Sequence, residues 1–199
     1  MLDERFSIIA GPERPIVPHR VLKHGDCFAV FDPRGNIVPD DGSEAGIYYD
    51  GTRFLSSFEL LLFGDRPLLL SSTQAVDDAI FEADLTNPDV LRDGHIQVAR
   101  GEINVRRSRV LWNACCVERI RVTNFRLNRI EVPLSIRFDA DFADVFEVRG
   151  THREARGERL RDVRGDDYVM GLVESLLSST RASTAAGCST RCTSSVRRE

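Results

Sequence analysis

Two aspartates, Asp141 and Asp144, form the most promising pair of acidic side chains in the sequence. Paired carboxylates act as general acid and base in glycosidic hydrolysis when they stand on opposite sides of the bond. Residues three apart on one short segment point in similar directions and do not easily reach that arrangement. We therefore predict no catalytic residue in this chain and expect both aspartates to accept hydrogen bonds in caps or turns.

A second polar cluster surrounds Gly51. Tyr49 and Asp50 precede this glycine, and Thr52 and Arg53 follow it. Polar side chains concentrated in a loop more often serve recognition than packing. The Arg53 guanidinium is suited to a bidentate pair with a carboxylate such as Asp50. A local aspartate–arginine brace of the turn explains the same pattern equally well, so both interpretations stay open at this point.

Composition and the remaining motifs argue against several classes of function. The net charge of −4 disfavours nucleic acid as a partner. The sequence has no glycine-rich nucleotide loop, and Cys188 and Cys192 lack the second ligand pair of a zinc site. We therefore expect no cofactor and no metal ion. No window is apolar enough for a membrane span, and an odd number of cysteines without a signal peptide predicts a cytoplasmic location.

The elements that must position these residues repeat with a period of two. Apolar and polar residues alternate from 130 to 138, which predicts a strand with one buried face. Pro133 lacks an N–H and places that strand at an edge or a bulge. Shorter alternations lie between 96 and 123, and no amphipathic helix of three turns precedes residue 140.

Two turns predict hairpins. One, ending at Gly35, joins segments 27–31 and 36–38, and the other joins segments 58–63 and 67–71. Short strands connected by glycine, proline and aspartate turns are typical of antiparallel sandwiches and barrels. The sequence therefore predicts an all-β fold, an antiparallel β-sandwich.

Composition divides the chain into three parts. We predict an N-terminal extension over 1–20, the sandwich over 21–170 and a low-complexity tail over 171–199. Residues 175–198 include no acidic and no aromatic residue, so the tail is expected to be disordered. A second explanation is a frameshift, because GC-rich codons for residues 182–196 read one nucleotide out of frame yield an alternating, strand-like sequence.

The most specific pattern is the order and spacing of seven segments. These are Lys23–Asp32, Gly46–Ser56, Leu68–Ser72, Leu85–Asp89, Arg109–Trp112, Glu118–Phe125 and Asp139–Gly150. Together they resemble the N-terminal domain of bacterial glycogen debranching enzymes (amylo-alpha-1,6-glucosidases), from about Val21 to Val169. Gly51 departs from the family pattern, in which another residue, often aspartate, precedes Thr-Arg, and the local turn is expected to differ accordingly.

This resemblance implies a β-sandwich of the supersandwich type, placed before a six-hairpin alpha/alpha barrel that carries the glycosidase carboxylates. It implies an incomplete sandwich without that barrel, and hence a chain that is inactive alone. Its partners are then the barrel and, through the parent enzyme, an α-glucan. The candidates for contact with substrate or barrel are Tyr49, Asp50, Thr52, Arg53, Asp141 and Asp144.

One alternative function stays open. The chain is then a free-standing sandwich that binds carbohydrate or another protein. Such a sandwich would present exposed aromatic rings, on which sugar rings stack, and the candidates are Tyr48, Tyr49 and Trp112.

Overall fold

The computed structural model describes residues 19–38, 43–75 and 79–152, together with the backbone of three later strands. These residues form fifteen β-strands and one helix of four residues. The elements are β1 (Arg20–His24), β2 (Cys27–Phe31), β3 (Gly46–Tyr49), β4 (Thr52–Leu55), β5 (Ser57–Leu62), β6 (Leu68–Gln74), β7 (Ile80–Thr86), β8 (Val90–Arg92), β9 (His95–Val98), β10 (Ile103–Trp112), β11 (Cys115–Asn124), β12 (Leu134–Asp139), α1 (Val145–Val148), β13 (Glu158–Arg164), β14 (Asp167–Val173) and β15 (Arg191–Ser194).

Strands β1 to β4 form a four-stranded antiparallel sheet in chain order. Within it, β2 buries Cys27, Ala29 and Phe31, whereas Phe28 and Val30 on the opposite face are half-buried. This period of two arises because successive side chains of a strand point to opposite faces of the sheet. One face of the sheet therefore belongs to the core.

A second sheet has five strands in the order β15-β11-β10-β7-β6. Its centre is the long hairpin of β10 and β11, whose ten residue pairs run from Ile103 opposite Asn124 to Trp112 opposite Cys115. Strand β15 pairs with β11 in parallel, and the other neighbours are antiparallel. The alternations predicted between 96 and 123 are confirmed as β9, β10 and β11.

The two sheets and β5 enclose one hydrophobic cluster. Phe31 of β2, Leu60 of β5 and Phe81 of β7 are fully buried within it. The rings of Phe31 and Phe81 meet edge to face, with centroids 4.7 Å apart, the arrangement that aromatic quadrupoles favour. Sheets packed over a shared core form a sandwich, and the predicted all-β antiparallel fold is confirmed.

Strand β12 lies at an edge, because within the described ranges it pairs only with β5. The predicted edge position is thus confirmed, but the predicted start at residue 130 is wrong. The strand begins at Leu134, after Pro133, which has no N–H to donate to the ladder. The face predicted to be buried is only partly covered, since Leu134 and Phe138 are 37% and 40% exposed.

Both predicted hairpins are wrong, although both turns exist. After Gly35, with a φ of 82°, the chain leaves β2, and Ile37 forms a bridge with Phe58 of β5. After Gly64, with a φ of 88°, β6 joins β7 while β5 pairs with β12. A turn reverses the direction of the chain. Which strand the next segment pairs with depends on how that segment can bury its apolar side chains in the core. Ile37 and Phe58 are both core residues.

The C-terminal part of the chain contributes strands whose backbone alone is described. β13 and β14 pair with each other, and β15, which lies within the predicted tail, pairs with β11. Residues 171–173 of β14 also lie within the predicted tail. The remaining tail residues, including most of residues 182–196, lie outside the described residues, as do residues 1–18 of the predicted extension. The part of the chain that the structure describes contains no helix with the length and apolarity needed to cross a membrane.

Candidate functional site

The turn between β3 and β4 carries the polar cluster around Gly51. Asp50 and Gly51 have φ values of 46° and 76°, as two-residue hairpin turns require, and Asp-Gly is a favoured sequence for such turns. Tyr49 pairs with Thr52 across the turn, and both side chains are half-buried. Asp50 is exposed. The turn therefore places Asp50 in solvent at one end of the first sheet.

The segment after β12 lies directly beside this turn. Thr52 forms an antiparallel bridge with Asp144, and the Arg53 N–H donates a hydrogen bond to the Ala143 carbonyl at 2.8 Å. The structure thus brings the two predicted clusters together, although 88 positions separate Arg53 from Asp141.

Arg53 and Asp141 form a bidentate ion pair. Arg53 Nε donates to Asp141 Oδ1 at 3.1 Å, and Nη2 donates to Oδ2 at 2.5 Å. Arg53 Nη1 donates to the carbonyls of Ser43 and Ala45, both at 3.3 Å. The expected pair with Asp50 is therefore wrong, because the guanidinium joins β4 to two other segments of the same domain. Its geometry is that of a brace between segments.

Tyr48 lies behind this ion pair and is buried. Its hydroxyl donates to the Glu44 carbonyl at 2.9 Å, and its ring stacks on Phe28 with centroids 4.4 Å apart. Burial raises the pKa of the Tyr48 phenol, although Arg53 acts against it. Burial lowers the pKa of Arg53, but Asp141 and Tyr48 together keep it above its usual value. Because its ring is covered, Tyr48 is not a platform for a sugar.

Asp144 is the N-cap of α1. Its Oδ1 accepts a hydrogen bond from the Phe146 N–H at 2.8 Å, and Glu147 Oε2 accepts one from the Asp144 N–H at 2.9 Å. The Asp144 side chain also accepts a hydrogen bond from the Glu147 backbone. The reciprocal bonds between Asp144 and Glu147 form a capping box, which satisfies N–H groups at the start of a helix. The expected cap is confirmed. Since Asp141 is ion-paired and Asp144 caps a helix, the two carboxylates stabilise local backbone structure.

Backbone strain marks the loop between these aspartates. Phe142 has a φ of 52°, which is uncommon for a residue with a side chain. Its ring meets Phe54 edge to face, with centroids 5.7 Å apart. Packing of the two rings therefore holds a strained loop in the conformation that sets Asp141 against Arg53.

A shallow groove adjoins this region between β2 and α1. Phe28, Val30 and Val148 contribute to its apolar lining, and Glu44 and Arg149 pair at 3.1 Å beside it. Within the described ranges, no group of three or more His, Cys, Asp or Glu side chains is placed to hold a metal ion. The groove therefore combines an apolar lining with the exposed ion pair of Glu44 and Arg149.

A buried ionic cluster in the second sheet was not predicted. Glu118 of β11 pairs with Arg107 Nε at 2.5 Å and with Arg109 Nη2 at 2.6 Å. All three side chains are almost fully buried. The sequence does contain a signal, because both arginines share the alternation of the buried residues Val105 and Leu111. Arginine in a position that the pattern assigns to the core predicts a buried carboxylate partner.

Hydrogen bonds from this cluster connect the second sheet to the turn after β2. Arg107 Nη2 and Arg109 Nη2 both donate to the Gly35 carbonyl, at 2.9 and 2.7 Å. A Cβ at Gly35 would lie 3.0 Å from Phe81 Cε1 and 3.2 Å from Arg107 Cζ, which is tighter than usual, and the φ of 82° also favours glycine. Burial raises the pKa of the Glu118 carboxyl, but the two guanidinium groups outweigh burial and hold it below its usual value.

Trp112 differs from the other aromatic candidates because this residue is exposed, at 61%. It ends β10, and the His24 ring lies beside it with centroids 4.6 Å apart. Tyr49 is half-buried and lies 6.4 Å from Phe54 between ring centroids. Among the three aromatic candidates, only Trp112 is an exposed residue.

Comparison with known proteins agrees with the seven sequence segments. A family model described as the N-terminal domain of some glycogen debranching enzymes matches residues 22–194, a range that includes β2 through β15. No curated protein and no solved structure matches the chain. The family match covers most of the 199 residues and confirms the resemblance. The chain therefore belongs to the family of N-terminal domains of glycogen debranching enzymes.

Proposed function

We propose that this chain is a non-catalytic domain of a cytoplasmic enzyme that debranches glycogen or a related α-glucan. The observation that carries the proposal is the family match over residues 22–194. In this proposal, hydrolysis takes place on an alpha/alpha-barrel domain outside the 199 residues, and the sandwich supports that domain. Contact with α-glucan during catalysis is then made by the enzyme as a whole.

The use of the candidate carboxylates supports a non-catalytic role. Asp141 binds Arg53 through both oxygens, and Asp144 caps α1. A general acid and base must face a substrate from two sides, whereas these two groups hold a loop against β4. A loop braced in this way keeps its geometry, as is needed in a domain that supports another.

The first experiment tests the absence of catalysis. We expect the purified chain to release no glucose from a glycogen limit dextrin, while an intact debranching enzyme in the same assay releases it. The matched variant is Asp144→Asn, which keeps an N-cap oxygen but cannot act as an acid. Glucose release by the chain that disappears in Asp144→Asn would contradict the proposal.

The second experiment tests the partnership with a barrel. The nucleotide sequence downstream of codon 199 is searched for a frame encoding helical hairpins, and that product is co-expressed with the chain. We expect the two to copurify and the barrel to need the chain for full activity. A barrel that is equally active alone, or a downstream frame unrelated to any barrel, would favour the free-standing alternative.

The same complex separates the two interpretations of Arg53. If Arg53 contacts the substrate or the barrel, Arg53→Ala lowers activity more than it lowers the melting temperature. If Arg53 is a brace, as its contacts with Asp141 favour, the melting temperature falls and activity below that temperature is kept. Arg149→Ala is the control, because Arg149 forms a more exposed pair with Glu44 nearby.

A further inference from the structure

Three hairpin turns meet at one end of the sandwich. The Asp26 carbonyl, in the β1–β2 turn, accepts a hydrogen bond from the Asp50 N–H of the β3–β4 turn at 3.2 Å. His24, at the end of β1, contacts the exposed ring of Trp112, which precedes the β10–β11 turn. The side chains of Asp26 and Asp50 are both exposed. An exposed tryptophan and two exposed carboxylates therefore lie along one continuous set of contacts.

The start of α1 extends this surface. The Val145 N–H donates to the Gly51 carbonyl at 2.8 Å, which joins α1 to the β3–β4 turn. The next residue, Phe146, is 64% exposed. The contacts thus connect the exposed Trp112 to the exposed Phe146, and the carboxylates of Asp26 and Asp50 belong to the turns between them. We name this surface the turn rim and define it by His24, Asp26, Asp50, Trp112 and Phe146.

We propose that the turn rim binds a chain of glucose units. The apolar face of a sugar ring stacks on an exposed aromatic ring, and carboxylate oxygens accept hydrogen bonds from sugar hydroxyls. The core of a protein interface is depleted in charged residues, so two exposed rings with two carboxylates between them fit a neutral, hydroxyl-rich ligand better than a protein. The choice of glucose as the sugar rests on the proposed function.

The sequence provides a specific probe for this site. Trp112 is the only tryptophan among the 199 residues, so the tryptophan fluorescence of the intact chain reports on the turn rim alone. Titration with maltoheptaose, a linear chain of seven glucose units, should change the emission in a saturable way. Sorbitol at the same mass concentration is the control for viscosity and hydroxyl content, and we expect no saturable change with it.

Variants then assign the binding energy to the rim. In native gels that contain glycogen, Trp112→Ala should weaken retardation and raise the apparent Kd about fivefold or more, as expected on loss of an aromatic stacking contact. The matched control is Phe125→Ala. Phe125 is 66% exposed and follows β11 at the other end of the same hairpin. Asp50→Asn should weaken binding less, because asparagine tolerates the positive φ and keeps one acceptor oxygen.

Three outcomes would overturn the proposal: no saturable fluorescence change, retardation unaffected by Trp112→Ala, or equal loss in Phe125→Ala. Thermal melts of each variant keep the test interpretable, since replacement of an exposed ring should leave the melting temperature unchanged. The result is independent of the proposed non-catalytic role. Binding together with glucose release would refute that role and keep the site, whereas neither binding nor release would refute the site and keep the role.

Discussion

Two arginine–carboxylate groups connect distant segments of this domain, and they differ most in their exposure to water. The pair of Arg53 and Asp141 joins β4 to the loop after β12, with side chains 15% and 22% exposed. The cluster of Glu118 with Arg107 and Arg109 lies inside the sandwich, with side chains no more than 4% exposed. The first group thus lies near the surface and the second in the core, although the chemistry of the pairing is the same.

This difference in exposure determines how much stability the domain loses when each group of ion pairs is broken. A charge near the surface regains water when its partner is removed, so only the pairing itself is lost. A charge in the core has no water to regain and must be paired or else strongly destabilise the fold. In the buried cluster, the Arg109 guanidinium also lies over the Phe31 ring, 4.6 Å from Cζ to the ring centroid. That contact adds a cation–π interaction to the ion pairs.

The largest effect is expected from Glu118→Gln. This change leaves two buried guanidinium groups without their shared carboxylate, and should lower the free energy of unfolding by about 3–5 kcal/mol. Urea denaturation followed by circular dichroism measures the loss. The control is Glu82→Gln, which removes an exposed pair with Arg106 from the same sheet and should cost at most about 1 kcal/mol. Similar losses in the two variants would show that burial does not set the cost.

The buried cluster also predicts how stability depends on pH. The pKa of Glu118 is lower in the folded state than its ordinary value of 4.5. The stabilisation is therefore fully present above about pH 4.5 and is lost as the pH falls through the lower, folded-state pKa. The slope approaches about 1.4 kcal/mol per pH unit between the two values. Urea midpoints measured from pH 7 to pH 3 should fall more steeply below pH 4.5 in the natural chain than in Glu118→Gln. Parallel curves would contradict this assignment.

Arg53→Lys tests the pair closer to the surface. Lysine keeps the charge but loses the fork that binds both Asp141 oxygens and the carbonyl contacts to Ser43 and Ala45. We expect a loss of about 1–2 kcal/mol in the free energy of unfolding, smaller than that of Glu118→Gln. Arg149→Lys alters a more exposed pair with Glu44 and should cost less than about 0.5 kcal/mol. If Arg53→Lys costs no more than Arg149→Lys, the brace interpretation fails.

The sequence predicted the strands of the buried cluster and the polar residues near Gly51, but it did not predict which arginine pairs with which carboxylate. Alternation predicts β10 and β11, but the pairing of Arg109 with Glu118 also needs the strand register. That register is set by a turn at Asn113 and Ala114, whose φ values of 47° and 58° are not expected for alanine. The polar residues near Gly51 were recognisable locally. Their contact with Asp141 depends on the tertiary fold, which explains why Asp50 was the wrong expected partner.

The smallest expected effect concerns Asp144, the other acidic residue in the loop. Its carboxylate accepts hydrogen bonds from the Phe146 N–H and from the backbone of Glu147, so Asp144→Ala should cost about 1 kcal/mol, as loss of an N-cap commonly does. Asp144→Asn keeps an acceptor and should cost only a few tenths. Amide hydrogen exchange gives the most local measurement, because the Phe146 amide should lose protection in Asp144→Ala and retain it in Asp144→Asn. If the asparagine variant loses as much protection as the alanine variant, charge at Asp144 matters more than the cap, and the capping box does not explain its role.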